Sequence, residues 1–262
     1  MQIFKELTLV FRKTKKFHVK LNLYKLSLMA MGWAPFSKTG VGMMSINSFV
    51  GLIKDELLKE VSIRSEDEFE PVVVKDIPRL WKCLGTGNYA AVFMHREYKD
   101  WVVKVYVREG EGIEKESEAY RRIGNHPSYS KLIYKGENFI VLKRLKEITL
   151  YDAIHKGIKI PKQVILDINE ALEYAREQGL TPCDVHGKNV MMEKGRGYVV
   201  DVSDFLKTKE DSKWRDLEKA YFTFYFPFIY KLPFPVKIPY FMLNIVRRSY
   251  RKYKKLKKKF KL

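Results

Sequence analysis

Four short runs, AAVF (90–93), WVVKVYV (101–107), KLIY (131–134) and FIVLKRL (139–145), are apolar and rich in β-branched or aromatic residues, with turn-prone or charged stretches between them. That pattern predicts the strands of a small sheet. From Gln163 to Gln178 the period changes. Val164, Ile165, Ile168, Ala171, Leu172 and Ala175 fall on one helical face, and Gly179 stands where such a helix would stop. A further helix is expected from near Asp211 through Phe226, before Pro227, Pro233, Pro235 and Pro239 break up the chain. Near the start, Phe4, Leu7, Val10 and Phe11 also have helical spacing. The fold class expected is α+β, a strand-rich lobe followed by a helical one.

The same pattern divides the chain into residues 1–78, which carry no chemical motif, a main domain over 79–245 with lobes at about 79–145 and 146–245, and a tail over 246–262. Composition adds little until charge is considered. The 262 residues carry a net charge of +19, and Arg247 to Leu262 alone hold ten Lys or Arg and no acid. Two cysteines, Cys83 and Cys183, are too few for a disulfide framework or a four-cysteine zinc site. The order of charges around the first apolar run does not follow a secretory signal. No uninterrupted apolar run reaches the ~18 residues of a membrane span. A cytoplasmic protein, free or peripheral at the inner membrane face, is expected.

Candidate chemistry begins at GTGNYAAV, Gly85 to Val92, which fits G-x-G-x-x-A-x-V. Glycines let backbone N–H groups approach an anion without a Cβ in the way. Within WVVKVY, Lys104 has apolar neighbours, and an ammonium on a half-buried strand calls for an anionic partner. Glu116 shares a helical face with Tyr120 and Ile123 and is the partner expected; Glu118 is the alternative. Further on, Asp184 and Asn189 stand five apart in the loop GLTPCDVHGKNVMM, and Asp201 ends the next apolar run, twelve beyond Asn189. One carboxylate suits a hydroxyl proton acceptor, while an amide oxygen and a second carboxylate suit magnesium beside phosphate oxygens. The order of these groups is that required for phosphoryl transfer.

These residues, with ESEAY, NEALEYAREQGLTPCDVHGKN and VVDVSDF, resemble the protein-kinase-like superfamily, and in particular the small bacterial serine/threonine protein kinases known from Bacillus. The likeness covers about 84–205, roughly half the chain. It implies a two-lobed protein-kinase-like fold with a small antiparallel-sheet amino lobe and a minimal helical carboxy lobe. It also implies ATP and Mg as cofactors. Gly85, Thr86, Gly87, Asn88, Ala90, Val92, Lys104 and Glu116 would form the nucleotide side of the site, Asp184 the base, and Asn189 and Asp201 the metal ligands. His186 stands where serine/threonine kinases commonly have lysine, and would either touch the transferring phosphate or orient the loop. Pro182 and Cys183 replace the usual His-Arg before Asp184, DVS replaces DFG, and no A-P-E follows. Asp216 is a candidate anchor for the catalytic loop.

The activity expected is ATP-dependent transfer to a serine or threonine of a protein partner. The short segment after Asp201 keeps open a small-molecule or lipid-head-group acceptor, and a non-catalytic binding module is the alternative from a different class. In the tail, Val246, Tyr250, Tyr253, Leu256 and Phe260 recur every three or four residues among lysines and arginines. This predicts a basic amphipathic helix suited to an anionic membrane surface or an acidic partner. No base-reading motif accompanies it, so nucleic acid is the less favoured partner.

Overall fold

The computed structural model describes residues 45–260, except 68–69, 109–111 and 147. The helical spacing at Phe4 to Phe11 lies outside the described residues. Helix α1 (Ile46–Leu52) starts at Ser45, whose hydroxyl accepts the Ser48 N–H, and runs on through a π-helical stretch (Ile53–Leu57) to a last turn (Leu58–Glu60). Strands β1 (Ser62–Arg64) and β2 (Val73–Lys75) pair antiparallel beside it.

The main sheet has five antiparallel strands: β3 (Trp81–Thr86), β4 (Ala90–His95), β5 (Trp101–Tyr106), β6 (Leu132–Lys135) and β7 (Phe139–Lys143), in the order β3-β4-β5-β7-β6. Alternation along each strand sends neighbouring side chains to opposite faces. Ala91, Phe93, Val103, Val105, Phe139 and Val141 form one core with Phe49 and Val50 of α1 and with Ile53 and Leu57 of the π-helical stretch. Residues 46–63 and 72–74, which the sequence groups with an amino-terminal extension, thus help to build the sheet lobe. The other face carries Val102, Lys104 and Tyr106 on β5 and turns toward the second core. That core is shared with α2 (Gly112–Ile123) and the helical lobe.

The helical lobe opens with β8 (Ile148–Thr149) and α3 (Leu150–Lys156), followed by α4 (Lys162–Glu177). All six predicted apolar positions of α4 are buried, and Gly179 follows it in the left-handed region at φ 71°. Strands β9 (Val190–Glu193) and β10 (Arg196–Val199) form a hairpin through Lys194 and Gly195, both at positive φ as a twist-matched two-residue turn requires. Gly197 lets β10 lie against α4, because a Cβ there would come within 2.5 Å of the Val164 carbonyl oxygen. Asp167 ties the two together, accepting from Arg196 at 2.8 and 2.9 Å and from the Gly197 N–H at 2.9 Å.

Helix α5 (Lys213–Ala220) continues as a π-helical stretch (Tyr221–Tyr230). Pro227 therefore lies inside a helix that the sequence ends at Phe226; the wider winding coincides with the missing proline N–H. Helix α6 (Tyr240–Phe260) runs across the expected boundary at 246 without a break.

Candidate active site

The β3–β4 hairpin holds the glycine motif. Gly87 donates to the Ala90 carbonyl at 2.8 Å and accepts from the Val72 N–H at 2.9 Å, and the β3 register shifts between Cys83 and Gly85. Neither Gly85 nor Gly87 has positive φ. A Cβ would meet nothing within 4 Å at Gly85 and only the Ala90 carbonyl oxygen, at 3.7 Å, at Gly87. Packing within the chain therefore does not demand these glycines. Thr86 and Ala90 end the paired stretches of the hairpin, Asn88 lies in its turn, and Val92 pairs across the sheet with Lys104.

Lys104 projects from the face of β5 turned to the helical lobe, with its side chain 13% exposed. Its Nζ lies 2.6 Å from Glu116 Oε2 and 3.4 Å from Asp201 Oδ1. Glu116 is fully buried in α2 beside Tyr120 and Ile123, and also accepts from the Tyr106 hydroxyl at 2.5 Å. Glu118 instead faces out and pairs with Arg121 and Arg122. Burial alone would lower the Lys104 pKa, but Asp201 and Glu116 outweigh it and hold the group above the usual lysine range. One ammonium serves two acids. At Glu116 burial wins and raises the carboxyl, whereas at Asp201 Lys104 and the Ser203 N–H overcome burial and lower it.

A second group of side chains gathers around Asp184, which sits in the left-handed region at φ 58°. Its carbonyl accepts from Asn189 Nδ2 at 3.0 Å, and its N–H donates to Asp211 Oδ2 at 2.9 Å. The Asn189 amide nitrogen is committed to the loop, so its oxygen is the end directed elsewhere. The acid that anchors the loop is Asp211. Asp216, the candidate from the sequence, accepts from Ser212 at 2.8 Å and Tyr250 at 2.6 Å.

His186 Nε2 is 3.8 Å from Asp184 Oδ1, and burial pushes its pKa down, so it is a neutral imidazole at pH 7. The cation on Asp184 is Lys213, from the first turn of α5, which also lies 3.6 Å from Asp211. Burial pulls the Lys213 ammonium down, but the bond to Asp184 outweighs it and raises it. Neither Lys213 nor Asp211 is distinguishable in the polar run TKEDSKW. The two groups of side chains adjoin, since Val200, next to Asp201, donates its N–H to the Asn189 carbonyl at 3.1 Å. Cys183 is buried with its thiol donating to the Lys209 carbonyl at 2.9 Å, and burial pushes its pKa up. Both features fit a packed thiol better than a nucleophile.

No protein-family model matches the chain. A Bacillus subtilis (strain 168) relative named "Putative serine/threonine-protein kinase YrzF" is 34% identical over 206 residues, covering 77% of this chain and 93% of the relative. The chain belongs to the protein-kinase-like superfamily. It is a kinase-like phosphotransferase with the two-lobed α+β fold of that group. Among solved structures, the kinase domain of Mycobacterium tuberculosis PknI superposes with a TM-score of 0.39 at 17% identity, over 51% of this kinase-like chain and 62% of that one.

Proposed function

We propose that the chain transfers the γ-phosphoryl group of ATP to a serine or threonine hydroxyl of a protein, with magnesium. The observation that carries this reading is Lys104, an ammonium at the junction of the lobes held between Glu116 and Asp201. The groups present fit the nucleotide and the ion. Gly85 and Gly87 leave the space over the hairpin open, Lys104 supplies a fixed cation, and the Asn189 amide oxygen and Asp201 carboxylate supply two hard donors. Two donors suffice because magnesium normally completes its shell with water and phosphate oxygens, and when bound it neutralises charge on those oxygens.

Lys104 would bind the phosphates nearest the hairpin, and Glu116 would hold it in place. Asp184 would accept the hydroxyl proton as that oxygen bonds to phosphorus and the bond to the departing ADP oxygen breaks. Lys213, in place of a lysine two residues beyond Asp184, would bring positive charge beside the reacting group, with His186 orienting the loop. The test is incubation of the purified chain with γ-labelled ATP and magnesium. Label on serine or threonine is expected. Its loss in Asp201→Ala and a fall of ~100-fold or more in Lys104→Met follow if both groups stabilise transferring charge. Undiminished transfer in either variant would remove that residue's role.

One observation favours a second acceptor class. Only residues 202–212 separate Asp201 from α5, which leaves little chain for a peptide-docking platform. Label found on a small alcohol or lipid headgroup and absent from protein would decide for that reading.

A further inference from the structure

Ten of the sixteen exposed large apolar side chains among the described residues fall between Phe222 and Tyr253. Within α6 they are ordered. Phe241, Met242, Ile245, Val246 and Tyr253 share one helical face and are 48–66% exposed. The opposite face makes the contacts with the lobe. Tyr240 stacks on His155 with centroids 3.5 Å apart and donates to Asp152 at 2.9 Å; Asn244 accepts from Tyr151 at 3.2 Å; and Tyr250 donates to Asp216. A surface helix ordinarily turns its apolar stripe to the core. Here polar and aromatic hydrogen-bonding groups face the core, and the stripe faces out. Tyr250, which the sequence places in the apolar series, belongs to the docked side, while Phe241, Met242 and Ile245 extend the exposed one.

We infer that α6 seats the protein on an anionic lipid surface, with the Phe241–Tyr253 face entering the headgroup boundary and the surrounding lysines and arginines meeting lipid phosphates. The charge fits this occupant: from Arg247 onward the sequence has ten cationic residues and no acid. Such a combination of an apolar stripe and a basic flank lies in the interface plane. No helix among the described residues is long and apolar enough to cross a membrane. A nucleic acid would satisfy the charge but has no use for the aliphatic Met242, Ile245 and Val246. A second copy would bring two strongly cationic helices together.

The test is sedimentation of the full chain with vesicles of phosphatidylcholine alone or mixed with phosphatidylglycerol, at low and high salt. Binding to the mixed vesicles, weakened by salt, is expected. The double variant Phe241→Ser/Ile245→Ser should partition at least ~10-fold more weakly while melting like the parent, because both side chains are already in water. Arg248→Glu/Lys252→Glu should lose the preference for the anionic lipid. Three results would overturn the assignment: no binding, parental binding by the serine variant, or capture of the chain from the vesicles by duplex DNA. Phosphate transfer is not read in this experiment, so its outcome does not depend on the proposed activity.

Discussion

At the scale of single residues, the site contains three cations or near-cations with different fates. Lys104 is locked between two acids, His186 is kept neutral by burial, and Lys213 is drawn onto Asp184 from another element. If Lys213 neutralises charge that develops during transfer, Lys213→Met lowers kcat by ~100-fold with little change in the KM for ATP. Lys213→Arg should recover part of the loss. A lysine serving only to hold the α5 terminus would change the melting temperature and leave kcat near the parent value. Lys104 and Glu116 were legible in the sequence because a lysine in an apolar strand needs a partner, and the helical phase of Glu116 pointed inward. Lys213 was not, because a lysine in a charged run looks the same whether it faces water or a carboxylate 29 residues away.

At the scale of elements, the β9–β10 hairpin brings Asn189 and Asp201 together at its open end, one before β9 and one beyond β10, and Asp167 holds that hairpin to α4. The Asp167 side chain is 1% exposed and Arg196 is 60% exposed, so removing the acid frees an arginine that water can serve but strands the buried Gly197 N–H. Asp167→Ala should cost about 2 kcal/mol in chemical denaturation. Burial pushes the Asp167 carboxyl up, yet Arg196, Gln163 and the Gly197 N–H outweigh it and hold the group below its usual value. Its contribution is therefore fully present above the unfolded-chain value of ~3.9 and is lost as pH falls through the lower folded value. The variant should show a smaller loss of stability than the parent over that acid range. Helix α4 was legible to its last turn because an apolar phase and a terminal glycine agree. The three-residue strands β1 and β2 were not, since so short a stretch cannot display alternation.

At the scale of the whole molecule, the sheet lobe has its outer core supplied from a segment that precedes the motifs. Phe49 is fully buried and its ring lies 4.8 Å from Tyr98, 5.4 Å from Trp101 and 5.8 Å from Trp81. Phe49→Ala should cost about 3–5 kcal/mol and lower the melting temperature, a large share of the ~5–15 kcal/mol that holds a typical domain. A parental melting curve would mean that α1 is not part of the cooperative unit. The two-lobed plan was readable from the change of period between residues 145 and 163. The boundary at 78 was drawn where the motifs begin, and motifs mark chemistry without marking where a core ends.

The glycine hairpin is spare to the architecture: unlike the turns at Gly157, Gly179 and Gly195, which hold positive φ, its backbone angles are ordinary, and side chains would have room. Selection at Gly85 and Gly87 is then invisible to a thermometer. A library sorted by heat resistance would let both positions drift, and one sorted by turnover would hold them fixed, so comparing the two sortings separates what this chain needs to exist from what it needs to act.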